Sequence, residues 1–220
     1  MHRALICDLD NTLFPAHAIS ASALSPLRAA VLSSNRGPKA LPSQLVERAL
    51  EEARWRPFDA VAEELHLPAP VRAAWAAAYT TLQLSGPLMP YPDVAVLAQL
   101  ALPRFLVTSG FRRFQESKVA TLGIGHLFDA LYIDALDEPE REGKAGIFRR
   151  IVRERDLVPA DVFVVGDSAE SELRIGRELG MVTVQVLRDH VEPCAWATHR
   201  IHGLHELVAL IAARISPHSG

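Results

Sequence analysis

Apolar positions in this chain follow two rhythms. Arg3 to Leu9 contains a nearly unbroken apolar run of strand length, and similar short runs recur at Arg104 to Val107, Ala130 to Ile133, Asp161 to Val165 and Val182 to Val186. Such runs, bounded by turn residues, read as buried strands. Val162-Phe-Val-Val165 is apolar on both faces, as a central strand of a parallel sheet should be. Helix-period segments lie between them, at Asp93 to Leu100, Phe111 to Leu122, Lys144 to Asp156, Glu170 to Leu179 and His205 to Ile215, with Ala197 to Ile201 as a short edge strand. Strands alternating with helices predict βαβ units, hence a Rossmann-like α/β fold with a parallel sheet and helices on both faces.

One stretch breaks this alternation. Residues 16–86 are rich in Ala and Leu, carry many charges and have almost no β-branched runs. Ser25-Pro26 reads as a helix start with Ser as the cap, and Asn35-Arg-Gly37-Pro38 as its stop. Further helices are expected from Leu41-Pro42-Ser43, from Pro57-Phe58-Asp59, and from Pro68-Ala69-Pro70 to about Leu84. The chain then passes Ser85-Gly86-Pro87-Leu-Met-Pro90-Tyr-Pro92, a stiff Pro-dense connector. The expected division is an α/β core, 1–15 with 87–220, and an all-helical inserted domain, 16–86.

Composition narrows the function. With 220 residues and 49% apolar side chains the chain has ample material for a core. The net charge of −3 comes from mixed acids and bases without a basic block, which argues against a nucleic acid polymer as partner. No apolar run approaches the roughly 20 residues of a membrane span. Met-His-Arg leads straight into strand pattern, so no signal peptide is expected. Cys7 and Cys194 form no disulfide or metal framework, and a cytoplasmic location fits.

The chemistry sits at strand ends, where open α/β sheets bind ligands. Asp8 and Asp10 close the first run in Asp8-Leu-Asp10-Asn-Thr12. Paired carboxylates there can serve as nucleophile, acid/base and metal ligands, although Asp and Asn are also ordinary turn formers. The second run ends Thr108-Ser109-Gly110, a hydroxyl with backbone N–H groups that suits an anion cradle or a plain helix cap. Lys144 falls in the first turn of a helix, against the helix dipole, which costs a little unless it has an anionic partner; the alternative is a solvated surface lysine. Lys118, mid-helix, reads as a solvated surface lysine. The fourth run ends Gly166-Asp167-Ser168 with Glu170 and Glu172 following, either a hard-cation site or a capping box.

In this order, Asp8-Leu-Asp10-Asn-Thr12, Thr108-Ser-Gly, Lys144 and Gly166-Asp167-Ser168 with Glu172 resemble the four motifs of the haloacid dehalogenase-like hydrolases, with a helical C1-type cap inserted after the first. The resemblance spans the whole chain. Two departures stand out: Ala145 follows the lysine where Pro is usual, and Glu172 stands where Asp is usual. Asn-Thr-Leu-Phe-Pro is also similar to pyrimidine-nucleotidase-like members.

The resemblance implies a phosphatase acting on a small phosphorylated metabolite. Asp8 would attack phosphorus and Asp10 would act as acid, then base. Mg²⁺ would be held by Asp8, by the backbone carbonyl of Asp10 and by Asp167, with Glu172 reaching it through a water. Thr108, Ser109, Gly110 and Lys144 would hold the phosphoryl oxygens. Dehalogenases of this superfamily lack an acid two residues after the nucleophile, so Asp10 favours phosphoryl transfer. A sugar phosphomutase and a catalytically decayed binding module are the alternatives. His17, Arg54, Trp55 and Arg56 are possible substrate contacts, although Trp55 suits the core of the insert and the arginines a solvated helix face. No oligomeric state is legible.

Overall fold

The structure, a computed structural model, describes residues 3–38, 40–54 and 58–215. Six strands form one sheet: β1 (Ala4–Cys7), β2 (Arg104–Gly110), β3 (Ala130–Ala135), β4 (Val162–Gly166), β5 (Val182–Val186) and β6 (His199–Ile201). Their order is β3-β2-β1-β4-β5-β6 and all pairings are parallel. The order reverses at β1, so the first strand lies beside the switch point where ligands bind in such sheets.

Alternation along the strands divides the core in two. Leu5, Cys7, Leu106, Phe163 and Val165 face one side, with α5 (Arg112–Leu122), α8 (Leu204–Ile215) and the 3₁₀ turn Val94–Gln99. Ala4, Ile6, Phe105, Val107, Val162 and Val164 face the other, with Ile147, Phe148 and Ile151 of α6 (Gly143–Glu154) and Ile175 of α7 (Arg174–Glu178). Each such large side chain taken from water contributes about 1.5–3 kcal/mol, which makes this the main source of stability. Asp93–Leu100, expected as a short helix, is this 3₁₀ turn.

Between β1 and β2 the chain makes α1 (Ser25–Ser34), α2 (Ser43–Glu52), α3 (Phe58–Glu64) and α4 (Ala69–Thr81), the four expected helices. The starts differ in detail. Leu24, not Ser25, is the α1 N-cap, and the Ser25 hydroxyl instead donates to the Ser22 carbonyl at 2.7 Å. At the other end Asn35 exchanges two hydrogen bonds with the backbone of Leu41 (2.9 and 2.8 Å), which closes the α1–α2 turn. Trp75 and Tyr79 on α4 and Phe58 on α3 continue the first core face, and Tyr79 stacks on Phe111 beside α5 with ring centres 5.0 Å apart. Leu84 N–H donates to Ser117 Oγ of α5 (3.0 Å), so the returning segment is tied to the sheet domain.

Candidate active site

Asp8 stands one residue beyond β1, and its N–H donates to the Val165 carbonyl of β4 (3.0 Å). The chain then turns tightly. Asn11 adopts φ +56, a conformation Asn tolerates better than most residues; its N–H donates to the Phe14 carbonyl (2.9 Å) and its side-chain oxygen accepts from Ala16 N–H (3.1 Å). Asp8 and Asp10 both line a cavity of about 360 Å³.

Opposite Asp8, the Lys144 ammonium from the first turn of α6 lies 2.6 Å from Asp8 Oδ1, 3.0 Å from Glu172 Oε2 and 3.3 Å from Ser171 Oγ. Burial alone would favour losing the Lys144 proton, but Asp8 and Glu172 outweigh it and hold the pKa above its usual value. Burial pushes the Asp8 carboxyl upward; Lys144 opposes this, and Glu172 and Asp167 add to it. Asp167 is pushed up to about 7, by burial first and then by Glu172. Cys7, on β1 beside Asp8, is a buried free thiol whose pKa burial also raises.

Glu172 reaches this cluster because the last segment is not the continuous helix expected over Glu170–Leu179. A π turn, Ala169–Leu173, leaves helical geometry at Ser171 before α7 begins. Such turns are frequent at functional sites. A side chain on Gly166 would collide with the Glu172 carboxylate, so Gly166 is what lets this longer acid lie along the strand end. Ser168, not Asp167, is the residue at the start of this turn, and its N–H donates to Glu172 Oε1 (2.9 Å), so a capping box of Asp167 with Glu170 does not form.

Asp8, Asp167 and Glu172 bring carboxylate oxygens within 4.8 Å of one another. Three carboxylates face one ammonium there, and burial together with mutual repulsion raises the pKa of two of them. All-oxygen donors with excess negative charge fit a hard divalent cation such as Mg²⁺. The Asp10 side chain lies outside this trio. The Asp167 side chain accepts from Thr12 Oγ1 (3.4 Å) and its carbonyl from Gln185 Nε2 (3.1 Å).

Thr108, Ser109 and Gly110 line the cavity, but as the last three residues of β2 and not as a turn after it; they pair with Ile133, Asp134 and Ala135. The strand therefore outlasts its apolar pattern. The Ser109 hydroxyl donates to Asp134 (3.0 Å), a buried acid on β3 that also pairs with Arg141 at 3.4 Å.

Lys118 is not on the surface as expected. It is 5% exposed, and its ammonium lies 2.7 and 3.0 Å from the two Asp10 oxygens. It follows Phe114 by one turn on the buried face of α5, where helical spacing aims it at the loop beyond β1. Gln115, absent from the sequence reading, donates to Ser109 O (2.6 Å) and Asp10 Oδ2 (3.4 Å). Arg54 lines the cavity from beyond α2 instead of lying on a solvated face; it donates to the carbonyls of His17 (2.7 Å) and Ile19 (3.4 Å). Trp55, Arg56 and the expected α3 start at Pro57 lie outside the described residues.

Arg188, also missed, lies outside the cavity lining and braces the loop that follows β1. It donates to the Thr12 carbonyl (3.3 and 3.1 Å), pairs two-pronged with Asp93 (2.8 and 2.9 Å) and lies over the Tyr91 ring at 4.0 Å. Among the described residues no helix is long and apolar enough to cross a membrane.

A family model described as haloacid dehalogenase-like hydrolase matches residues 2–180. Glyceraldehyde 3-phosphate phosphatase of Methanopyrus kandleri is 30% identical over 200 residues, 86% of this chain and 85% of that protein. The protein of the same name from Methanocaldococcus jannaschii is 27% identical over 134 residues, 56% of this chain and 57% of that one. YfnB of Bacillus subtilis, solved bound to magnesium, shares the fold with a TM-score of 0.61 at 17% identity, over 96% of this chain and 98% of that one.

Proposed function

The chain belongs to the haloacid dehalogenase-like hydrolases, and we propose that it is a Mg²⁺-dependent phosphatase acting on small phosphate monoesters through a phosphoaspartate on Asp8. The observation that carries this reading is the cluster of buried Asp8, Glu172 and Lys144 with half-buried Asp167, opening into one cavity with Asp10.

Asp8 Oδ attacks phosphorus and the bond to the ester oxygen breaks, while Asp10 hands that oxygen a proton. Water then attacks phosphorus, Asp10 takes back a proton, and the bond to Asp8 breaks to release inorganic phosphate. Lys144 and the Thr108–Gly110 strand end hold the phosphoryl oxygens, as charge and dipoles already in place. Asp8, the Asp10 carbonyl and Asp167 would hold Mg²⁺, with Glu172 behind them. Bound there, it supplies positive charge that offsets repulsion between Asp8 and a phosphate dianion.

We read residues 16–86 as a cap and 1–15 with 87–220 as the core. The cavity has cap residues Ile19, Leu24, Phe58 and Tyr79 on one side and Asp8, Thr108 and Lys144 on the other. Its size suits a short ester, and the names of the two relatives make a three-carbon sugar phosphate the first candidate. A reducing cytoplasm belongs to this reading, since both cysteines are buried free thiols.

The test is phosphate release, with and without Mg²⁺, from a panel of phosphorylated metabolites that includes glyceraldehyde 3-phosphate. The expected result is Mg²⁺-dependent turnover of at least one small ester. Release from none, or conversion of a sugar phosphate only when its bisphosphate is added, would replace this reading.

A further inference from the structure

Asp10 carries two proton transfers in the reaction proposed above, and that demands a fixed carboxylate. Its surroundings on α5 supply one. Lys118 and Gln115 are spaced i, i+3, face the same loop, and are 5% and 3% exposed. Lys118 bonds both Asp10 oxygens (2.7 and 3.0 Å), and Gln115 Nε2 reaches Asp10 Oδ2 at 3.4 Å while anchored on Ser109 O at 2.6 Å. The anchor depends on Gly110, because a side chain there would collide with the Gln115 amide. The Lys118 ammonium is itself enclosed, 4.7 Å from the centre of the Phe114 ring and 5.8 Å from that of Phe14. A buried ammonium without a partner is costly, so Lys118 and Asp10 hold each other in place. Lys144, by contrast, bonds Asp8, Ser171 and Glu172. Each of the two aspartates of the first motif thus has its own buried lysine.

We propose that Lys118 and Gln115 form a clamp that orients the Asp10 carboxylate for proton transfer; the inference rests on the phosphatase reading. In the first half-reaction the proton moves from Asp10 to the ester oxygen as its bond to phosphorus breaks. The anion left on Asp10 forms against the Lys118 ammonium. In the second half-reaction that anion takes a proton from water as the water oxygen bonds phosphorus and the bond to Asp8 breaks, which returns the proton used. Both clamp residues act through Asp10 and are positioning residues.

The experiment compares kcat/KM for two esters, p-nitrophenyl phosphate and the best alkyl phosphate of the panel. This parameter extends only through departure of the leaving group. p-Nitrophenolate leaves without a proton, whereas an alkoxide needs one. Lys118→Met should therefore lower kcat/KM on the order of 10- to 100-fold for the alkyl ester and less than about 3-fold for the aryl ester. Gln115→Met should give the same split at smaller size, and serves if Lys118→Met does not fold. In an Asp10→Asn background, Lys118→Met should cause no further loss on the alkyl ester. Equal losses on both esters, or additive losses with Asp10→Asn, would overturn the clamp. Failure of the wild-type protein to release phosphate from either ester would overturn the phosphatase reading itself, and the clamp with it.

Discussion

Lys144 and Asp8 form a buried pair at 2.6 Å, and the same ammonium also satisfies Glu172. Removing it leaves two carboxylates facing each other away from water. Lys144→Ala should therefore fail twice: turnover should fall on the order of 10²-fold or more, and stability by about 3–5 kcal/mol. Steady-state kinetics beside thermal unfolding check both. A variant with wild-type stability and wild-type kcat would show that the pairing has no part in either.

Asp8→Asn removes the nucleophile without changing its shape. Phosphate release should drop to background while the circular dichroism spectrum and cooperative unfolding persist. Near wild-type turnover by the folded variant would exclude a phosphoaspartate at this position.

Metal should stabilise the fold through the acid trio. Mg²⁺ at about a hundred times its dissociation constant should add roughly 2.7 kcal/mol to metal-free protein. Asp167→Asn should remove most of that increment, and so should chelation. Calorimetric titration and melting curves measure it without any substrate, and an undiminished increment in Asp167→Asn would place the ion elsewhere.

The Asp93–Arg188 pair gives a pH-dependent contribution. Burial alone would raise the Asp93 pKa, but Arg188 and the Leu204 N–H (2.8 Å) outweigh it and hold the pKa below its usual value. A depressed carboxylate stabilises the fold above its unfolded pKa of about 3.9, and that contribution is lost as pH falls through the lower folded value. Asp93→Asn should thus cost on the order of 1 kcal/mol at pH 7, because solvent screens part of the pair. The gap between variant and wild type should close as the pH drops below about 4. Denaturant titrations across that range decide it; a gap independent of pH would mean the carboxylate charge is irrelevant.

The cap should restrict substrate size. Tyr79 stacks on Phe111, and both line the cavity that holds Asp8 and Asp10. kcat/KM should be much higher for a small metabolite than for a phosphopeptide, and Tyr79→Ala should narrow the ratio. A phosphopeptide turned over as well as the best metabolite would rule out a closed cap.

The sheet was legible because β1, β4 and β5 are buried on both faces, so apolar runs alone locate its centre. The lengths of those runs were less so: Thr108 to Gly110 are polar, yet they continue β2 because β3 offers partners. Asp8, Lys144 and Asp167 could be found because each sits at a strand end or in a first helical turn, where local pattern and chemistry coincide. Lys118 and Gln115 could not. A lysine in a helix reads as solvated by default, and only the tertiary position of Asp10 makes its burial favourable. Arg188 and Asp134 were hidden for the same reason, since their partners lie on distant segments. The break at Ser171 has no signature in helical periodicity, although the unusual Glu172 beside a glycine-ended strand was a clue to it.

The central position of β1 also governs when the site comes into being. Leu5 pairs with Arg104 on one side and with Phe163 on the other. The strand made first must therefore wait for neighbours made long afterwards, and contacts so distant in sequence form slowly. A growing chain that has not yet reached Val162 already contains Asp8, Asp10, Thr108 and Lys144, but it has no β4 to take the Asp8 N–H and no Glu172 to share the lysine. Catalytic competence should thus appear only after β4 and Glu172 have been made.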